Sequence, residues 1–294
     1  MEIRQLATFI RVAQFKSFSR AAESLGYSQS AVTVQIRQLE EELSTRLFDR
    51  MGKRIALTDT GERFFSHACD VISQVNQARM SVAATTELHG TLHIGTIESL
   101  TCLKLPAVLH RYRQHHPKVS IHITVGEPEE LIEQMERGEL DMIYVLDEPL
   151  YSNNWHKLME QREEIVFVAS ASLGEALGGR ELTTEELVQY PFFLTEQDNY
   201  RRVLNRRLAA RRCILTPSLE CSDTSFLIRM LEIDRGVSFL PWYAVESSVR
   251  QGKLVRLSVA DCYISLYRQI FCHKEKWRTR EMDEFVRFAE QEDK

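Results

Sequence analysis

The chain has 294 residues, enough for two or three compact units rather than one. With 44% hydrophobic and 27% charged residues it can bury a core, which excludes a disordered protein, and no apolar run approaches the ~20 residues needed to cross a bilayer. A net charge of −5 excludes a protein that coats nucleic acid with its whole surface, yet residues 1–58 hold nine Lys/Arg against six Asp/Glu, so a basic head precedes an acidic body.

The opening residues carry charges within an amphipathic pattern and show no small-residue cleavage site, so no signal peptide is expected. Leu6, Phe9, Ile10 and Ala13 recur at helical spacing and predict a first helix. A short second helix follows, with Ala21, Ala22 and Leu25 on one face and Gly26 as its stop. Ser28 is the N-cap of a third helix whose apolar face is Ala31, Val32, Ile36 and Leu39. Small residues at the crossing and a glycine turn predict a helix-turn-helix, whose second helix enters the major groove. Gln29, Ser30, Thr33, Val34 and Arg37 would face the bases there, since amide, hydroxyl and methyl groups can read base edges. Two strand-like runs around Gly52 predict a wing, with Ser28, Arg50, Lys53 and Arg54 placed for phosphates. A plain three-helix bundle would not explain the polar, uncharged leading edge of the third helix.

The run from Ala22 to Gly61 resembles the signature of LysR-type transcriptional regulators in register. It shares the Ala21-Ala22 pair, the Ser28-Gln29 turn, Ile36 with Leu39-Glu40, Leu47-Phe48 with Arg50, and Leu57-Thr58 with Gly61. It departs at Ser30, Val34 and Ser44, where many relatives carry proline, a basic residue and glycine; the change at Val34 removes one possible DNA contact. The resemblance implies an α/β protein with an N-terminal all-α winged helix-turn-helix (1–58), a long linker helix (59–89) and a two-lobed effector domain (90–294) similar to periplasmic binding proteins. Within that domain, lobe I would take about 90–162 and 266–294, and lobe II about 163–265.

From Thr60 to about Leu88 no proline occurs, and Phe64, Phe65, Ala68, Val71, Ile72, Val75, Ala78, Arg79 and Val82 form a near-heptad seam. A buried helix within one domain would show the same pattern. The resemblance implies instead pairing between subunits of a homodimer or homotetramer, which sets two reading heads on a dyad operator in double-stranded DNA. RNA polymerase is the further protein partner expected of such a regulator.

From Thr91 strands and helices alternate in a doubly wound pattern. Looser likenesses to the same family continue here, in the Glu136–Val145 stretch and in the segment ending at Pro241. The cleft between lobes is the expected effector site. Thr96, Glu98, Ser99 and Thr101 lie where the first strand enters a helix, and the free N–H groups there favour an anion. Thr195, Glu196 and Ser222 follow strands of the opposite lobe. A carboxylate-bearing metabolite fits the hydroxyls, whereas Glu98 points to an amino acid or an amine, so both remain open.

The six arginines between Arg201 and Arg212 read as a solvated helix face rather than a second nucleic-acid surface. His110, His115 and His116 fall on different helix faces and are read as surface histidines, so no metal and no cofactor is expected. Six scattered cysteines suit a reducing cytoplasm; Cys213 and Cys221 leave a redox-responsive regulator of the same architecture as an alternative. No nucleophile elbow, phosphate-binding loop, zinc-protease motif or dinucleotide fingerprint occurs, so no enzyme is expected. The rival from another class is a ligand-binding or enzymatic α/β module without specific DNA recognition.

Overall fold

A computed structural model describes residues 1–51, 54–82, 87–196 and 198–292. The head opens with α1 (Ile3–Phe15), α2 (Phe18–Leu25) and α3 (Gln29–Glu42). Ser17 caps α2 by accepting from Arg20 N, and Gly26, at φ 69°, turns the chain into the α3 cap at Ser28, which accepts from Ala31 N at 3.2 Å. Ala21 is fully buried and Ala22 nearly so, which lets the helices close on Phe9, Ile10, Val32 and Ile36. Strands β1 (Phe48–Met51) and β2 (Arg54–Leu57) pair antiparallel, Phe48 opposite Leu57.

Each signature residue has a backbone task. Glu40 Oε1 accepts from Leu47 N (2.8 Å) and Phe48 N (3.1 Å), fixing the entry to the wing. Thr58 Oγ1 donates to Arg46 O at 2.8 Å and accepts from Gly61 N at 3.0 Å. A Cβ at Gly61 would overlap the Leu47 carbonyl, so only glycine fits. Ser44 has φ 50°, a conformation that favours glycine and accounts for the glycine many relatives carry.

Helix α4 (Asp59–Val82) departs from the seam expected of it. Phe65, Ala68 and Ile72 are buried within the subunit's own head, against the cluster of Phe9 and Phe48. Val71 remains 42% exposed. The first half of the expected intersubunit seam is therefore largely consumed inside one chain, because Phe9 presents an aromatic surface that Phe64 and Phe65 cover. Of the expected seam, the side chains of Ala78, Arg79 and Val82 lie outside the described residues.

The body begins with β3 (Gly90–Thr96), α5 (Glu98–Leu103), α6 (Leu105–His115), β4 (Val119–Val125), α7 (Pro128–Glu136) and β5 (Met142–Asp147). Strand β3 pairs parallel with both β4 and β5. Next comes the 16-residue β6 (Trp155–Ser170), which starts eight residues before the run apparent in the sequence. The second lobe adds α8 (Ala171–Leu177), α9 (Thr184–Leu187), β7 (Phe193–Thr195), α10 (Asn199–Ala210), β8 (Leu219–Cys221), α11 (Thr224–Ile233), β9 (Val237–Pro241), α12 (Trp242–Arg250) and β10 (Leu254–Arg256). Strand β11 (Ile264–His273) and α13 (Arg280–Gln291) close the chain.

One mixed sheet, ordered β10-β6-β11-β5-β3-β4 with β9 on β6, runs through both lobes. Strands β6 and β11 cross between them: Met159 and Ile270 belong to one apolar core, whereas Ile165–Ala169, Ile264 and Leu266 belong to the other. Ile97 and Tyr243 pack against both cores.

Head and body also touch. Gln14 Nε2 donates to Glu275 O at 3.0 Å, and Arg11 of α1 feels the charge of Asp141, which within the body meets Lys276 Nζ at 2.6 Å, Lys276 buried and Asp141 mostly so. Trp277 packs on the head core. Burial pushes the Asp141 carboxyl up, but hydrogen bonds from His93 and the Lys276 charge outweigh it and hold the group well below its ordinary range. Removing one member of a buried pair strands the other charge. Asp141→Ala is therefore expected to lower stability in urea by about 3 kcal/mol, and adding Lys276→Met should recover most of the loss. A cost below about 1 kcal/mol for the single change would mean that the pair behaves as a surface bridge.

Candidate functional site

The first candidate surface is the outer face of α3. Ser28, Gln29, Ser30, Val34 and Arg37 are exposed and Thr33 is half-buried, while Val32, Ile36 and Leu39 of the same helix are fully buried. The helix is thus anchored by one face and offers the other. Ser28 and Ser30 hydroxyls lie 2.9 Å apart, Ser19 Oγ donates to Gln29 Oε1 at 3.0 Å, and Thr33 Oγ1 donates to Gln29 O at 2.9 Å. That last bond turns the Thr33 hydroxyl inward along the helix. Arg37 leans on Glu41 at 3.5 Å, an exposed pair that costs little to exchange for another anion. Of the expected phosphate contacts, Lys53 lies outside the described residues, and so do the side chains of Arg50 and Arg54, although β1 and β2 set their backbones on the hairpin.

The second site is the interlobe cavity of about 630 Å³, within the range of small-molecule sites. Five of the seven expected effector residues line it: Glu98, Ser99, Thr195, Glu196 and Ser222. Thr96 and Thr101 do not. Thr96 is fully buried and donates to Tyr144 O at 2.9 Å; the Thr101 hydroxyl donates back to Ile97 O at 2.9 Å. Ser99 is bound to Tyr243 OH at 2.9 Å, across the lobe junction. Helix α5 is only six residues long, so the anion-holding end expected there is a weak one.

Sequence reasoning missed the rest of the wall, because it comes from loops far apart in the chain. Glu127, Pro128 and Glu129 enter from the start of α7, and Asp198, Asn199 and Arg202 from the start of α10. Burial pushes the Asp198 carboxyl up to about 6 despite bonds from the Thr195 hydroxyl and Arg201 N. Burial likewise pushes Asp147, at the end of β5, up to about 6. Glu127 is raised by burial and by Glu129, whereas Glu129 is lowered by its own backbone N–H and by Arg202. Arg202 NH1 reaches Glu129 Oε1 at 3.0 Å and its other nitrogen binds Asn199 Oδ1.

The arginine-rich α10 spends its charges on acidic partners: Arg201 on Glu220, Arg202 on Glu129, Arg206 on Glu148. His116 meets Glu284 at 3.3 Å, and among the described residues no group of His, Cys, Asp or Glu could hold a metal. Among the described residues no disulfide joins the six cysteines.

A helix-turn-helix with an open reading face, joined to a two-lobed domain with a cleft, defines a ligand-linked transcriptional regulator. A model of the bacterial regulatory helix-turn-helix proteins of the lysR family matches residues 3–62, and one of the LysR substrate binding domain matches residues 85–294. The chain belongs to the LysR family of transcriptional regulators, with a DNA-binding helix-turn-helix and a substrate-binding domain. It is similar to the uncharacterized HTH-type transcriptional regulator YwqM of Bacillus subtilis, 31% identical over 291 residues and covering 97% of each. Its fold resembles a full-length OxyR variant from Pseudomonas aeruginosa (TM-score 0.62, 22% identity, 98% of this chain and 94% of that one). It also resembles full-length CbnR complexed with its target DNA (TM-score 0.55, 18% identity, 99% and 100%). Among the described residues no helix is long and apolar enough to cross a membrane.

The raised Asp198 carboxyl has a consequence for stability. Its folded value of about 6 lies above the ordinary 3.8, so the folded state holds extra protons between those values and loses stability as pH rises through that window. Asp198→Asn keeps a capping oxygen for α10 without the buried charge. The variant should melt a few degrees above the parent at pH 7.5, roughly 1 kcal/mol, with the gap closing by pH 4. A gap that stays constant with pH would contradict the buried-charge account.

Proposed function

We propose that the protein is a sequence-specific regulator of a dyad operator, acting as a homodimer or homotetramer and controlled by a small carboxylate- or amine-bearing metabolite bound between the lobes. The observation that carries this reading is the α3 face: an uncharged polar edge, held rigidly by a buried opposite face, is suited to base edges rather than to bulk phosphate attraction. Gln29, Ser30, Thr33, Val34 and Arg37 read bases; Ser28, Arg50, Lys53 and Arg54 hold the backbone. In the cytoplasm, RNA polymerase is the partner through which such a regulator acts.

Effector binding changes the angle between the heads. The geometry offers a route within each subunit. Strand β5 carries Leu146 to the cavity wall at one end and follows Asp141, the anchor of Lys276 and neighbour of Arg11, at the other. A lobe closure that shifts β5 would therefore be felt at the head. The redox-responsive alternative would act through Cys213 and Cys221, which are half-buried free thiols.

Footprinting on the DNA upstream of the gene, with random competitor, should show an interrupted protected dyad whose affinity falls steeply between about 50 and 200 mM salt. Gln29→Ala and Thr33→Ala should each weaken specific binding by about 1–3 kcal/mol and leave random-DNA binding nearly unchanged. Equal losses on both kinds of DNA would show that these residues do not read bases.

A further inference from the structure

The sign of the cleft limits what can occupy it. Lobe I contributes Glu98, Glu127 and Glu129, and lobe II contributes Glu196 and Asp198. The guanidinium of Arg202 is the one cation in the described wall, and Glu129 and Asn199 already engage it. Asp198 is also engaged, by the Thr195 hydroxyl and Arg201 N. Glu98, Glu127 and Glu196 have no ion-pair partner among the described residues.

Glu98 is the most telling of these. Its Oε2 accepts from Thr224 N at 3.2 Å, across the lobe junction, while its Oε1 is buried from solvent and accepts no hydrogen bond. The nearby Cys102 thiol, raised by burial, by the Glu98 charge and by a hydrogen bond to that carboxylate, is a weak donor and supplies no compensating cation. A buried carboxylate oxygen without a donor is costly. An anionic ligand would worsen that imbalance, whereas a protonated amine would relieve it.

We infer that the cleft takes a small organic cation, an ammonium group bound at Glu98 on an apolar body; the inference rests on reading the cleft as the effector site. The carboxylates are too dispersed to make a metal shell, as no group of three suitable side chains converges among the described residues. Ile97, Val125, Pro128 and Leu146 supply an apolar strip beside the acids, which suits alkyl or arylalkyl carbon. Ammonium at Glu98, with Glu127 beside it and Glu196 facing from lobe II, would draw the two lobes together. A free α-carboxylate on the ligand finds no uncommitted cation in this wall, so an amine without one is preferred.

The test uses the full-length protein and defined probes. Hexylamine, phenethylamine and 1,4-diaminobutane are compared with hexanoate and adipate by calorimetry and thermal shift. At least one amine should bind saturably and raise the melting temperature, with the acids inert. Glu98→Gln, which keeps an acceptor for Thr224 N, should weaken that amine about tenfold or more. Ser222→Trp, at an exposed position of the wall, should block it sterically. Both variants should keep the parent's circular dichroism spectrum and a single cooperative melt without ligand, which shows that they fold. Acids that bind in place of amines and are blocked by Ser222→Trp would overturn the cation while leaving the cleft as the site. Amine binding indifferent to both substitutions would overturn the cleft itself. No binding by any amine would sink the proposed ligand class.

Discussion

The two-lobed body depends on one buried ion pair set in the strands that cross between the lobes. Arg268 of β11 donates from Nε to Glu163 Oε2 of β6 at 2.9 Å, with both side chains nearly inaccessible. Arg268 also donates to Tyr144 OH at 3.0 Å, and Glu163 Oε1 accepts from Tyr243 N at 3.2 Å. Tyr243 in turn meets Ser99 across the junction. Burial raises the Glu163 carboxyl even with Arg268 beside it, so the pair contributes little net stability against an apolar substitute. Its effect is positional. Four groups, from β5, β6, β11 and the start of α12, are tied to one point, and Tyr243 links that knot to Ser99 of the cleft wall.

This arrangement explains why the cavity wall can be so acidic without disrupting the fold. The knot satisfies its own charges below the cleft, and α10 directs Arg201, Arg202 and Arg206 to Glu220, Glu129 and Glu148. What is left over is Glu98, Glu127 and Glu196 on the rim and wall. Two carboxyls nearby, Asp147 and Asp198, answer burial by holding protons more tightly. The cleft thus concentrates negative charge, which a ligand of the opposite sign would offset.

Much of the head was legible in the sequence because its signals are local. Ser28, Gly26 and the Ala21-Ala22 pair each act within a turn or two of their position, and Glu40, Thr58 and Gly61 act across a wing barely twenty residues long. The alternation of strands and helices was equally readable in the body. What escaped was whatever the chain assembles over distance. Strand β6 begins at Trp155, but its first half mixes charged, polar and apolar residues without regular alternation along a strand that reaches into both lobes, and only Ile165–Ala169 is continuously apolar. Thr96 and Thr101 sit beside the cavity in sequence, yet their hydroxyls are claimed by Tyr144 O and Ile97 O, which no spacing rule reveals. The acidic wall is built from residues about 30 and 100 positions apart, so its sign could not be read from any one stretch.

The linker helix shows the same contest between local and distant demands. Its apolar positions fit a heptad seam, yet Phe65, Ala68 and Ile72 are buried by the head of their own subunit. A helix committed over half its length to one head behaves as a lever fixed to that head rather than as a free strut. The head, in its turn, rests on the body through Gln14 and Trp277, with Arg11 beside Asp141. Movement of the body against α1 must therefore either break those contacts or carry the head and the base of α4 with it. Asp141 stays ionised on Lys276 and His93 within the body. The cost of parting the two units therefore falls on the Gln14 bond, the Trp277 packing and the place of Arg11 beside Asp141, and keeping those contacts is the outcome the packing favours.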